Sequence, residues 1–436
     1  MTLIAYALPA LTLAVPTIPV YVKLPTFYAE TVGLPVAAIG AALFLARVLD
    51  VVTDPLIGWA SDRLRAPLPR RKPLVLLGAP IAGLGLYRLF VPEAEAGLVY
   101  LAFWAGVLYL GWTLVSLPYT AWAAELTPDY DERSRITGWR EGLGLAGIML
   151  AAVLPVLWPG DAASDLRALA LAVILGGAAT LLFLLHRVPD QPLAPGPAGP
   201  ARLAPPAWRR HVDAFRRNKP FQRLILAWGL NGLANGLPAV LFPLFVTERL
   251  ALAPADRDLL ILAYFAAAIG AIPFWYLASR RMEKHVTWSL AMVVAAVTFA
   301  AAPFLPEGAF APFLAICLVT GAALGADLFL PPSMQADVVD YDTWQTGEKR
   351  AGLFFALWSM VTKISMAAAV GIAFPLLGWA GFEAGGGNST DQLGLLAFLY
   401  AGLPVLFKLG AVALVRAHPL TARRHRAIRR RLARRG

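Results

Sequence analysis

The chain has 436 residues, of which 58% are hydrophobic and 15% charged, with a net charge of +11. A soluble domain carries about a quarter charged residues, so this composition excludes an ordinary water-soluble fold. One cysteine, Cys317, excludes a disulfide framework and a cysteine-based metal cluster.

A bilayer-spanning helix needs about 20 largely apolar residues, and about twelve runs meet that rule. They cover 3–30, 36–60, 73–92, 97–124, 138–158, 166–187, 220–248, 258–279, 286–305, 309–332, 352–379 and 392–416. The first run has no basic segment before it and is expected to be a retained helix, not a cleaved signal. Basic residues crowd alternate connections: Arg63, Arg65, Arg70, Arg71 and Lys72; Arg133 and Arg135; Arg202, Arg209, Arg210, Arg216, Arg217 and Lys219; Arg280, Arg281 and Lys284; Lys349 and Arg350. The intervening connections are acidic or neutral, as at Glu93, Glu95 and from Glu383 to Asp391. Cytoplasmic loops carry the excess of Lys and Arg, so the chain is expected to cross the inner (plasma) membrane with both termini in the cytoplasm. The Arg-rich end, Ala422 to Gly436, is expected to lie on anionic lipid, not on nucleic acid.

Proline and glycine between Asp190 and Pro206 exclude a helix and give an extended linker. Residues 1–189 then form one bundle, 190–219 a cytoplasmic linker, 220–416 a second bundle and 417–436 a basic tail. An internal match supports the division. The fourth run is expected to end at Pro118-Tyr119, followed by Ala124-Glu125, Asp129-Tyr130-Asp131 and Arg135; the tenth ends at Pro332, followed by Ala336-Asp337, Asp340-Tyr341-Asp342 and Arg350. A weaker echo relates Ala60-Ser61-Asp62-Arg63 to Ala278-Ser279-Arg280-Arg281. Parallel repeats of this kind describe the major facilitator fold, with a central site between the halves. The expected fold is an all-α membrane protein of about twelve helices in two six-helix bundles.

A charge near the bilayer centre costs at least about 2.5–3.5 kcal/mol, so it persists where it is paired or lines a wet cavity. Arg47, Asp50 and Asp54 share one face of the second run. They form either a self-neutralising ion pair with one carboxylate over or a site for a hard cation or a proton. Lys363 stands mid-span in the eleventh run with no acid within a turn, so its partner must come from another helix. Arg140 and Glu141 open the fifth run; as sequence neighbours they are expected to point apart, so that one of them faces a cavity. Asn231 and Asn235 lie one turn apart, and Asp327 lies on the tenth run; these serve either a solute or helix packing. Asp62, Arg63 and Glu125, with Asp337, Asp340 and Arg350 in the second half, are expected to lock an inner gate. No nucleophile–base pair, phosphate loop or metal-ligand cluster is evident, which argues against an enzyme.

The stretches ARVLDVVTDPLIGWASDR (Ala46 to Arg63), MQADVVDYDTW (Met334 to Trp344) and the segment ending Met360-Val361-Thr362-Lys363 resemble those of the glycoside–pentoside–hexuronide:cation symporters, the melibiose permease family. The resemblance runs from the first helix to the last. It implies a cation site at Asp50 and Asp54, assisted by Thr113, with Lys363 beside it; Arg47, on the same helical face, is expected to balance charge with Lys363. It implies solute contacts from Arg140, Asn231 and Asn235. The family's two sugar-binding aspartates fall at Ala14 and Ser116, and a tryptophan falls at Thr120, so the sugar set is largely replaced. Loss of two charged acceptors removes strong hydrogen bonds to a sugar, which opens the cavity to anionic or amphipathic solutes.

The expectation is a monomeric secondary transporter that couples sodium or proton movement to a small organic solute by alternating access. No cofactor other than the coupling ion is implied. The alternatives are export or flipping of an amphipathic compound such as a lysolipid, and a non-transporting assembly factor.

Overall fold

The structure is a computed structural model that describes the chain except residues 1, 18, 21–23, 64–70, 94–95, 128, 158–161, 191–214, 384–386 and 435–436. The proposed linker therefore lies almost wholly outside the described residues. The regular elements described are helices: α1 (Thr2–Ala14), α2 (Leu24–Glu30), α3 (Val36–Arg63), α4 (Lys72–Phe90), α5 (Leu98–Leu126), α6 (Tyr130–Leu157), α7 (Ala162–Arg187), α8 (Lys219–Leu244), α9 (Pro254–Arg281), α10 (Lys284–Phe299), α11 (Phe310–Thr346), α12 (Ala351–Trp379), α13 (Thr390–Ala397), α14 (Leu403–Arg416) and α15 (Ala422–Ala433). Single π-helical turns continue α8 and join α13 to α14. A helix satisfies its own backbone polar groups, which lipid cannot do, and this accounts for the all-helical outcome.

Nine spans among the described residues are long and apolar enough to cross a membrane. That is fewer than the twelve runs counted in the sequence. The first run is not one helix: α1 stops at Ala14 and α2 starts at Leu24, with Pro16 and Pro19 between them. Proline lacks an amide donor and clashes with the preceding turn. α3 and α6 have spanning length at 28 residues each, about 42 Å at 1.5 Å per residue, and carry the buried charges described below. The tenth run is longer than expected. α11 continues through Pro331 and Pro332 and the whole Asp340-Tyr341-Asp342 stretch to Thr346, where Gly347 ends it in the left-handed conformation (φ +76°). Likewise α5 runs past Pro118 to Leu126.

The chain divides into two compact units, Met1–Ala204 with Glu348–Leu357, and Pro205–Gly347 with Trp358–Gly436. In the first, Leu86, Leu89 and Phe90 of α4 pack with Leu101, Ala105 and Leu108 of α5 and with Tyr28 of α2. Also in this unit, α3 crosses the start of α12 at Gly58 and Gly352. A Cβ on Gly58 would lie 2.6 Å from the Gly352 carbonyl oxygen, so the helices meet backbone to backbone. In the second unit the core centres on Phe245, Phe313 and Tyr400, with the Phe245 and Tyr400 rings stacked 4.0 Å apart.

Candidate functional site

The helical spacing of Asp50 and Asp54 aims both carboxylates at α5, where they meet Thr113. Asp50 is 4% exposed, and Asp54 and Thr113 are each 1% exposed. Thr113 Oγ1 lies 2.8 Å from Asp50 Oδ1 and 3.1 Å from Asp54 Oδ1. A hydroxyl has one proton to donate, so Thr113 donates to one of these two carboxylates at a time. The Arg47 side chain lies outside the described residues. Lys363 is half-buried on α12 within the second unit.

Arg140 on α6 is 8% exposed. Its Nε donates to Glu141 Oε1 at 3.0 Å, and its Nη2 donates to the same oxygen. The expected divergence of the two side chains does not occur, because the long arginine folds back over its neighbour. Arg140 Nη1 is buried with no hydrogen-bond partner among the described residues. The neighbouring α1–α5 contact is a reciprocal tyrosine clasp. The Tyr6 hydroxyl donates to the Tyr119 carbonyl at 2.8 Å, the Tyr119 hydroxyl donates to the Tyr6 carbonyl at 2.6 Å, and the rings stack at 4.8 Å. Ser116 and Thr120 are half-buried on α5, three and seven residues after Thr113.

Of the residues expected to lock an inner gate, Asp62 and Glu125 converge on Arg71, which is fully buried just before α4. Arg71 Nη2 pairs with Glu125 Oε1 at 2.7 Å and Asp62 Oδ1 at 3.0 Å, and Nη1 donates to Ser61 Oγ at 2.5 Å. Burial alone would lower the Arg71 guanidinium, but the Glu125 and Asp62 carboxylates outweigh it and hold the pKa above its ordinary value. Asp62 also accepts from the amides of Gly352 and Leu353, both at 2.8 Å, and so caps the first turn of α12. Asp190 Oδ2 does the same for α4, accepting from the amides of Arg71 and Lys72 at 2.7 and 2.9 Å. The Arg63 side chain lies outside the described residues.

In the second unit, Asp337 pairs with Lys284 at 2.8 Å, and Asp340 with His425 at 2.9 Å and Arg429 at 3.2 Å. Arg350, which belongs to the first unit, is buried, with Nε 3.8 Å from Glu348 Oε2. The Arg-rich tail forms an amphipathic helix, α15, fastened to α11. Thr421 caps it, His425 and Ile428 are buried, and its arginines lie mostly on the other face. The Ala422 amide donates to Glu283 Oε2 at 2.8 Å. Preceding this helix, His418 is buried and its pKa falls to about 3, chiefly through burial and also through the nearby His285 and Arg223; Asp337 opposes the shift.

Asn231 and Asn235 belong to a buried ion-pair network. Asp327 of α11 accepts at Oδ2 from Asn231 and Asn235, each at 3.2 Å, and from Lys408 Nζ of α14 at 3.0 Å; at Oδ1 it accepts from Trp288 Nε1 of α10 at 2.5 Å. Lys408 also donates to Asn235 Oδ1 at 2.7 Å. Four helices of the unit are thus tied at one carboxylate. The sequence analysis missed Lys408, although the argument that singles out Lys363, a lone cation in an apolar run, applies to it equally. It also missed Arg71, Tyr6, Tyr119, Trp288 and His425. Their partners lie up to 113 residues away in sequence, beyond the reach of spacing arguments. Among the described residues no group of three or more His, Cys, Asp or Glu is placed to hold a metal ion.

The sequence profile of the family described as MFS/sugar transport protein matches residues 5–422. The chain is similar to an uncharacterized symporter of Synechocystis, with 24% identity covering 93% of this chain and 91% of that protein. It is also similar to the human sodium-dependent lysophosphatidylcholine symporter 1, with 24% identity covering 88% of this chain and 76% of that protein. Its fold matches the solved proton:xylose symporter XylE with a TM-score of 0.65 and 13% identity, covering 98% of each chain.

Proposed function

The chain belongs to the MFS/sugar transport protein family, and on that premise we propose that it is a cation-coupled symporter of an organic solute, with Asp50, Asp54 and Thr113 as the coupling site. The observation that carries this is one threonine hydroxyl shared by two carboxylates buried in an apolar bundle. Sodium or a proton supplies the positive charge that the hydroxyl lacks. Lys363, which the resemblance to the melibiose permease family sets beside the site, and Arg47, on the same helical face as the two carboxylates, balance that charge when the ion has left. Alternating access then exchanges the ion and the solute between the two sides.

The solute is held at least partly by Arg140, whose buried Nη1 is available for an acceptor, with Ser116, Thr120 and the region of Asn231 and Asn235 as further contacts. Ala14, Ser116 and Thr120 stand where a sugar binder needs carboxylates and an aromatic face, which favours an acceptor-bearing amphipathic solute over a galactoside. With the basic connections inside, the protein sits in the inner membrane as a monomer of about twelve spans in two bundles, both termini cytoplasmic. The residues around Arg71 and those around Asp337, Asp340 and Arg350 form the inner gate.

The test is a solute screen by thermal shift on purified protein, in sodium, in potassium, and across pH. A ligand of the native state raises apparent stability. A hit whose shift needs sodium or depends on protonation, and is lost in Asp54→Asn, supports the proposal. A hit indifferent to both, and to the substitution, contradicts coupling. A second reading, export or flipping of an amphipathic compound, is favoured by the similarity to a lysophosphatidylcholine symporter. Transport into inverted vesicles without a cation gradient would establish it in place of symport.

A further inference from the structure

The second unit holds a half-open cavity of about 260 Å³ beside the Asp327–Lys408 pair. Its walls are largely apolar, with Phe242, Phe265 and Phe299 among them, and its polar groups include Lys408, Tyr264 and Tyr400. The hydrogen-bond inventory of the polar groups is uneven. Asp327 accepts from four donors, about the full capacity of a carboxylate. Lys408 has three N–H donors and uses two, on Asn235 and Asp327. The hydroxyls of Tyr264 and Tyr400 make no hydrogen bond among the described residues. The lining therefore offers unused donors, while its one carboxylate is occupied.

Charge limits the ligand further. Lys408 and Asp327 cancel each other, so an anion entering the cavity would leave an uncompensated buried charge, which is strongly unfavourable. A neutral acceptor, such as a carbonyl, uses the spare donors without that cost. Size completes the description: an apolar cavity of about 150 Å³ holds benzene, so this one suits a body of about two rings. We propose that the cavity between α8, α9, α10, α11 and α14 is a binding site for an uncharged, apolar solute of about two rings with one hydrogen-bond acceptor, the acceptor held by Lys408 and the Tyr264 and Tyr400 hydroxyls. The site does not depend on the cation site of the first unit.

Benzophenone has this chemistry and is photoreactive. Purified full-length protein is irradiated with it, and adducts are located by mass spectrometry. Adducts concentrate at least about tenfold on peptides carrying Tyr264-Phe265, Phe299 or Tyr400, relative to the peptide carrying Phe274, which is 63% exposed on the outer surface of the same unit. Fluorenone, which keeps the carbonyl, suppresses this labelling. Diphenylmethane, of similar size without an acceptor, suppresses it at least about tenfold less well, and the anion 4-benzoylbenzoate labels more weakly than benzophenone. Ala296→Phe, which fills the cavity, and Tyr264→Phe, which removes one donor at constant shape, both reduce labelling. Should Ala296→Phe not fold, the competition between fluorenone and diphenylmethane decides alone. Even labelling of cavity and surface peptides, equal competition by diphenylmethane, or stronger labelling by the anion overturns the proposal. Because the measurement is of binding and not of uptake, its failure leaves the coupling site untouched.

Discussion

Thr113 donates to Asp50 across the α3–α5 contact at 2.8 Å, and the same oxygen stands 3.1 Å from Asp54. The hydroxyl has one proton and donates to only one of these two carboxylates at a time. A hydrogen bond to a charged group contributes about 1.5–3 kcal/mol. Thr113→Val keeps the shape and removes the bond. The cation concentration for half-maximal coupled transport should rise by about 10- to 150-fold, the same energy expressed as a ratio. Unchanged cation dependence would remove Thr113 from the site.

Arg71 is the shared partner of Asp62 and Glu125 and is fully buried. Removing one member of a buried pair leaves an uncompensated charge and costs about 3–5 kcal/mol. Arg71→Ala should lower the thermal midpoint sharply. Arg71→Lys should recover little of the loss, because a point-like ammonium cannot bridge the same acceptors as a planar fork. Equal midpoints for wild type and Arg71→Ala would show that the network is not structural.

Asp327 and Lys408 tie α8, α10, α11 and α14 together. Lys408→Met alone strands the carboxylate and should destabilise by about 3–5 kcal/mol. Adding Asp327→Asn removes the stranded charge and should restore much of that stability. A double variant as unstable as the sum of the two single changes would mean the residues act independently.

His418 has its pKa depressed to about 3 in the folded protein, chiefly by burial. The unfolded chain holds its histidine near 6.5, so between these values the unfolded state binds the extra proton. Folding stability should therefore fall as pH drops below about 6.5, by at most about 1.4 kcal/mol per pH unit from this group. Thermal midpoints of wild type and His418→Gln, compared from pH 7 to pH 4, should show a shallower decline in the variant. Parallel curves would exclude His418 as a contributor.

The apolar runs reveal the all-helical membrane architecture directly, because lipid leaves few other ways to satisfy a backbone. Helix ends were less legible. The tandem prolines at 331–332 suggested a stop, yet α11 continues to Gly347 because the segment beyond is held by Lys284, His425 and Arg429. The helix-face argument correctly brought Asp50 and Asp54 to one place, since a spacing of four is local geometry. It could not show that Asn231 and Asn235 are spent on Asp327, or that Arg71 collects Asp62 and Glu125, because those contacts are set by tertiary packing. The arginine-rich tail read as lipid-facing on charge alone, whereas His425 and Ile428, three residues apart, give α15 a face that buries.

The central claim is that Asp50 and Asp54 take up the coupling cation. It is tested most directly by charge displacement in reconstituted proteoliposomes on a solid-supported membrane, which needs no knowledge of the solute. A jump in sodium, or in pH, should produce a transient current in the wild type that saturates with ion concentration and disappears in Asp54→Asn. A transient of undiminished size in folded Asp54→Asn, or none in the wild type with either ion, would contradict the account.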